Sequence, residues 1–105
     1  MSFEDTCKRA VKGTAEEVEE LFENGNSDDI EEYFENILDI EYRINEQKQY
    51  KSVQLMCTCG GPNIYIDTAD KLAKLYWGET YMEYPISYAV CDKIDDYVQD
   101  VYFND

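Results

Sequence analysis

Between positions 16 and 41 of this 105-residue chain stand twelve carboxylates: Glu16, Glu17, Glu19, Glu20, Glu23, Asp28, Asp29, Glu31, Glu32, Glu35, Asp39 and Glu41. No lysine or arginine interrupts them. A carboxylate can ligate a hard metal ion, move a proton, or accept bidentate bonds from a guanidinium. The residues around these acids decide among the three. Asn24-Gly25-Asn26-Ser27-Asp28-Asp29 offers oxygens, but not the D-x-[DN]-x-[DN]-G spacing of a calcium loop. The chain has no histidine, the commonest general base, so a cysteine nucleophile would lack its usual partner. Gly60-Gly61-Pro62 lacks the spacing of a phosphate loop and reads as a turn. The expectation is a protein that is not an enzyme, needs no cofactor and holds no metal. The remaining role for the acids is to receive cations from outside.

Charge distribution sharpens this reading. The formal net charge is −15, from 24 acids against nine bases. Residues 1–49 carry −10 of it, residues 50–86 only −1, and residues 87–105 the other −4. A coat that merely solubilises would cover all three segments. Within the acidic stretch, Glu16/Glu20, Glu19/Glu23, Asp28/Glu32 and Glu31/Glu35 are i, i+4 pairs of like charge. With their i, i+3 counterparts they cost on the order of 2–5 kcal/mol at low salt, against a total stability of about 5–15 kcal/mol. Nucleic acid and anionic membranes carry the wrong sign to bind such a surface. A protein cleft lined with lysine and arginine carries the right one.

The elements that must present these acids follow from periodicity. Ser2 caps a short helix whose apolar face is Phe3, Cys7, Ala10 and Val11, ended by Gly13. Thr14-Ala15-Glu16-Glu17 matches a capping box and starts a second helix with Val18, Leu21 and Phe22 inward, stopped by Asn24-Gly25. Ser27 caps a third, with Ile30, Tyr33, Phe34, Ile37 and Leu38 inward. Rows Glu16-Glu20-Glu23 and Asp28-Glu32-Glu35 then point away from the core on their two helices. From Ile40 the period becomes two. Strands are expected at Ile40–Ile44, around Val53–Cys57, at Ile64–Ile66, at Leu72–Trp77 and at Thr80–Tyr84. Ser87 caps a last helix with the stripe Val90, Cys91, Ile94, Tyr97, Val98, Val101 and Tyr102.

Helices, then an antiparallel four- to five-stranded meander, then a C-terminal amphipathic helix packed on the sheet make an α+β domain, one unit over residues 1–105. Apolar residues form 44% of the chain, enough for a core. No apolar run reaches the roughly 18 residues of a membrane span, and Met1-Ser2-Phe3-Glu4-Asp5 has no signal-peptide character, so a cytoplasmic protein is expected. Cys7, Cys57, Cys59 and Cys91 lack paired zinc-ligand spacing and read as buried free thiols. Tyr76, Trp77, Tyr81 and Tyr84 could give one parity to the core and the other to a second contact or a homodimer face. Whether Asp92, Asp95, Asp96 and Asp100 join the acidic surface is left open by the pattern.

In size, charge and the acidic track from Glu16 to Glu41, the chain resembles small acidic nucleic-acid mimics of phages and mobile elements, the antirestriction and anti-CRISPR proteins. Gly60-Gly61-Pro62-Asn63-Ile64-Tyr65-Ile66-Asp67 and Tyr76-Trp77-Gly78 have the look of a family signature. The near-neutral strand region departs from mimics that are acidic over most of their surface, and implies a local docking face. The resemblance implies a defence nuclease as target, foremost an RNA-guided effector, which must read a short duplex motif with arginines. Inhibition would then be competitive, salt-sensitive and fast to form. Two other readings use the same acids: an immunity protein or antitoxin against a basic nuclease toxin, and an adaptor domain whose acids only solubilise.

Overall fold

The computed structural model describes residues 2–104. Helix α1 spans Phe3–Asn24 and helix α2 spans Ser27–Glu35. Strands β1 (Asp39–Ile44), β2 (Tyr50–Thr58), β3 (Asn63–Asp67), β4 (Leu72–Trp77) and β5 (Thr80–Pro85) follow. Helix α3 spans Tyr88–Val98 and continues into a π-helical turn over Gln99–Phe103. The strands form one antiparallel sheet in chain order, and the helices pack on one of its faces. This is the expected α+β architecture.

The helical N-terminus corrects the expectation at three points, one being Leu38, expected inward on the helix that begins near Ser27 but lying beyond its end at Glu35 and exposed. Gly13 does not end a helix, and Thr14 does not cap one: its hydroxyl donates back to the Ala10 carbonyl at 3.0 Å. Cys7, Val11, Ala15, Val18 and Phe22 are all buried on one unbroken stripe. That stripe keeps the helical phase across Gly13, and its burial outweighs the roughly 1 kcal/mol cost of a helical glycine. The third correction is the cap of α2, which is Asn26 rather than Ser27. The Asn26 side chain accepts from the Asp29 amide at 2.9 Å, and the Asp29 carboxylate accepts from the Asn26 amide at 3.2 Å. Gly25 between the helices is required by close approach, since a Cβ there would lie 2.5 Å from the Leu21 carbonyl oxygen.

Alternation sets the sheet. Val53, Leu55, Ile64, Ile66, Ala73 and Leu75 turn to the helices and are buried with Val90, Cys91, Ile94 and Val98 of α3. Ser87 caps α3, accepting from the Val90 amide at 3.2 Å. The expected stripe fails at Val101, which is exposed, because the π-helical turn shifts the phase of the last residues. Tyr102 still packs on Phe34 of α2, with ring centroids 5.8 Å apart. Among the described residues no helix is long and apolar enough to cross a membrane.

The cysteines also depart from expectation in part. All four are free, but only Cys7 and Cys91 are buried; Cys57 is half-buried and Cys59 is exposed. Strand β2 ends at Thr58, so Cys59 enters the following turn instead of sharing the inner face with Cys57.

Candidate acidic docking surface

Two short-range devices place the acids. The α1 stripe buries one side of the helix and leaves Glu16, Glu17, Glu20 and Glu23 in solvent. The Asn26–Asp29 box starts α2 so that Phe34 is buried and Asp28, Asp29, Glu31, Glu32 and Glu35 are exposed. Asp39 and Glu41 are exposed on β1. Glu19 is the exception among the twelve. It is half-buried, and its carboxylate accepts a hydrogen bond from the Ser87 amide at 3.1 Å, where it serves the start of α3.

None of the twelve forms an ion pair with a lysine or arginine among the described residues. The ion pairs among the described residues are Lys8–Glu4, Arg43–Asp67, Lys74–Asp67 and Lys74–Asp70. Nor do the helix ends supply counter-charge: neither α1 nor α2 has a basic residue in its last turn. The dipole of α1 favours cations at that end, yet Lys8, Arg9 and Lys12 sit in its first half and the acids in its second. One internal cation reaches the end of the helix, where Lys93 donates to the Phe22 carbonyl at 3.3 Å.

The expected rows do not act as separate ridges. A groove of about 630 Å³ runs between α1, α2 and the end of β2, and it draws Glu17 and Glu20 from one helix and Asp29 and Glu32 from the other. Thus one member of each expected row, Glu20 and Glu32, meets a neighbour from outside it. The floor is apolar, built from Leu21, Tyr33, Ile37 and Cys57. There the Tyr33 hydroxyl and the Cys57 sulfur lie 3.7 Å apart. Burial, followed by the neighbouring thiol, pushes the Tyr33 hydroxyl well above the ordinary phenol range. Burial likewise raises the Cys57 thiol to about 11, against a smaller lowering by the Tyr33 bond. Both groups are therefore neutral near pH 7, and the carboxylates are the groove's charges. Glu31 and Glu35 lie toward the other side of α2, where they contribute to raising the hydroxyls of Tyr97 and Tyr102 after the larger effect of burial.

The C-terminal acids divide. Asp95 turns to the sheet, accepting from the Tyr50 hydroxyl at 2.6 Å and the Thr68 hydroxyl at 2.8 Å, and is spent on the fold. Asp92, Asp96 and Asp100 remain exposed. The aromatic cluster divides as well. Trp77 turns toward α1 and meets Phe3 edge-on at 4.9 Å, and Tyr84 packs against the core. Tyr76 and Tyr81 lie on the open face of the sheet, 4.9 Å apart, with Tyr65 5.9 Å beyond Tyr76.

No family model, curated protein or solved structure shows significant similarity to this chain. The functional reading therefore rests on geometry and charge.

The site can bind a side chain that is long, aliphatic along its stem and cationic at its tip. The apolar floor would cover the stem while the rim carboxylates meet the charge. Sequence reasoning named all four rim acids, but not that two helices pair them around a floor. Tyr33 and Cys57 entered the reading only as inward-facing positions. Their meeting depends on where α2 crosses β2, which local periodicity does not encode.

Proposed function

We propose that the protein is an inhibitor that mimics nucleic acid, offering its α1–α2 acids to the basic nucleic-acid cleft of a defence nuclease in the cytoplasm. An RNA-guided effector is the foremost candidate. One observation carries the reading. The acids from Glu16 to Glu41 are almost all exposed and form no ion pair among the described residues, which favours a counter-charge supplied from outside. A merely solubilising coat would gain by interleaving lysines at i, i+4, each worth a few tenths of a kcal/mol, and the stretch from Glu16 to Glu35 forgoes that gain.

The groove suggests how the contact is organised. Arginines that normally grip phosphates would form bidentate bonds with Glu17, Glu20, Asp29 and Glu32, releasing the same counterions that a nucleic acid releases. Competition tests this directly. The protein is mixed with an RNA-guided nuclease and labelled target duplex at low and high salt. The expected result is loss of duplex binding at low salt, reversed by excess duplex and weakened as salt rises. The quintuple variant Glu16→Lys, Glu20→Lys, Asp28→Lys, Glu32→Lys, Glu35→Lys should be folded and inactive. Full inhibition by that variant would leave the acids with a solubilising role alone.

A further inference from the structure

Strand β1 is one edge of the sheet, and its sequence from Ile40 to Ile44 reads Ile-Glu-Tyr-Arg-Ile. From its geometry we infer that β1 is a self-pairing edge, joining the sheets of two copies antiparallel about Tyr42.

The first support is the direction of the backbone groups. The Thr68 amide donates to the Val53 carbonyl at 3.1 Å, so the polar groups of Val53 face β3. Polar groups alternate along a strand, so those of Ser52, Gln54 and Met56 face β1. Their partners in register are Arg43, Glu41 and Asp39. Beyond the bulge near Ile44 the alternation persists, because the Asn45 amide donates to the Gln49 carbonyl at 3.1 Å. The amides and carbonyls of Ile40, Tyr42 and Ile44 therefore point out of the sheet. Glu41, Tyr42, Arg43 and Ile44 are all exposed. The strand carries neither proline nor lysine, the usual guards of an open edge, whereas β5 at the other edge ends in Pro85.

The second support is register. A second β1 can pair only where its own outward groups, those of Ile40, Tyr42 and Ile44, meet these ones. Three antiparallel registers near the middle of the strand satisfy that condition, centred on Glu41, Tyr42 or Arg43. Centring on Glu41 opposes two glutamates, and centring on Arg43 opposes two arginines. Centring on Tyr42 instead sets Glu41 against the second copy's Arg43, twice by symmetry. On the other face it sets Ile40 against Ile44, twice, and Tyr42 against its own copy. Opposite charges and apolar pairs directly across strands each contribute about 0.2–1 kcal/mol. The Glu41 carboxylate has no ion-pair partner among the described residues, and the Arg43 side chain keeps 43% of its exposure despite its bonds to Asp67, so both can be reached.

Two copies of net charge −15 repel one another. The pairing is therefore weak at low salt and strengthens as salt screens the acid fields, the opposite trend to binding a basic partner. Sedimentation equilibrium of the full chain between about 0.1 M and about 1 M sodium chloride reads this directly. The expected result is a monomer–dimer equilibrium that shifts toward dimer with salt. Glu41→Arg opposes arginine to arginine on both sides of the two-fold and should weaken the dimer on the order of tenfold or more. Ile44→Pro removes an outward amide without taking a bond from β2, and should weaken it also. Hydrogen exchange adds a residue-level reading, in which the Tyr42 amide becomes protected only in the dimer. The Glu41 side chain makes no hydrogen bond or ion pair among the described residues, so the Glu41→Arg chain remains folded and decides the matter if Ile44→Pro does not fold. A monomer at every salt concentration overturns the inference, and so does a dimer indifferent to Glu41→Arg.

Discussion

Arg43 grips Asp67 with both arms of its guanidinium, Nη1 to Oδ1 at 2.9 Å and Nη2 to Oδ2 at 2.8 Å, across two strands of the open sheet face. Lys74 donates to the same carboxylate at 3.1 Å and also bonds Asp70. The Asp67 carboxylate further accepts from the amides of Ala69 and Asp70, tying down the turn after β3. On the open sheet face Arg43, Lys74, Asp67 and Asp70 are thus paired with one another, while the acids from Glu16 to Glu35 form no ion pair among the described residues.

The first prediction follows from that pair. Burial raises the Asp67 carboxyl, but bonds from Arg43, the Asp70 amide and Lys74 more than offset it, leaving a pKa of about 2 against an ordinary 3.8. A depressed carboxylate stabilises the fold above its unfolded pKa and loses that contribution as pH falls through the folded value. Asp67 should thus contribute on the order of 2 kcal/mol near pH 7, lost between about pH 4 and pH 2. Denaturant titrations across this range should show the loss. Asp67→Asn should remove that portion of the pH dependence and cost about 2–4 kcal/mol at pH 7, because the guanidinium loses its paired charge.

Gly13 gives the second prediction. It lies inside α1, exposed, and a Cβ there would meet nothing within 4 Å. Gly13→Ala should stabilise the protein by about 0.5–1 kcal/mol, by reducing the freedom of the unfolded chain and raising helix propensity. On a domain of this size the melting temperature should rise by roughly 2–8 °C. A fall in melting temperature would show that the helix needs the glycine.

Gly13 also marks how much of the fold was legible in the sequence. The strands were legible because apolar and polar residues alternate in them, as at Val53 and Leu55 against Ser52 and Gln54. The helical N-terminus was misread because a glycine followed by Thr-x-x-Glu satisfies a local rule for a boundary. The longer stripe from Cys7 to Phe22 overrides that rule through tertiary burial. The acidic residues were legible by type, and most of them stand in solvent. Their grouping was not, because Glu17 and Glu20 meet Asp29 and Glu32 only through the packing angle of two helices. Glu19 and Asp95 were indistinguishable from their neighbours, since their partners Ser87 and Tyr50 are remote in sequence.

The third prediction separates folding from binding at the groove. Glu32 is exposed, its carboxylate takes part in no ion pair or hydrogen bond among the described residues, and α2 has no basic residue in its last turn. Glu32→Lys replaces repulsion from Asp28, Asp29 and Glu35 with attraction. It should raise stability by about 0.3–1 kcal/mol at low salt, an effect that shrinks as salt is added. The same change should weaken capture of a basic partner. Melting curves at two salt concentrations, alongside the competition experiment, give both readings from one variant.

The last prediction concerns Thr68, whose buried hydroxyl joins three elements. It accepts from the Val53 amide at 2.9 Å and donates to Asp95 of α3 at 2.8 Å, while the Tyr50 hydroxyl donates to the same Asp95 oxygen at 2.6 Å. The Tyr50 hydroxyl is pushed well above the phenol range, first by burial and then by the Asp95 bond, so it stays protonated and keeps donating. Tyr50→Phe removes one donor from a carboxylate that retains another, and should cost about 1–2 kcal/mol. Thr68→Val removes a donor from Asp95 and also leaves the Val53 amide, in a wholly buried residue, without its acceptor. Its cost should be larger, about 2–4 kcal/mol. Because the hydroxyl links β2 to α3, its loss should also speed amide exchange in α3 relative to α1. Equal costs for the two substitutions, or uniform exchange, would show that Thr68 fills space and does not join the helix to the sheet.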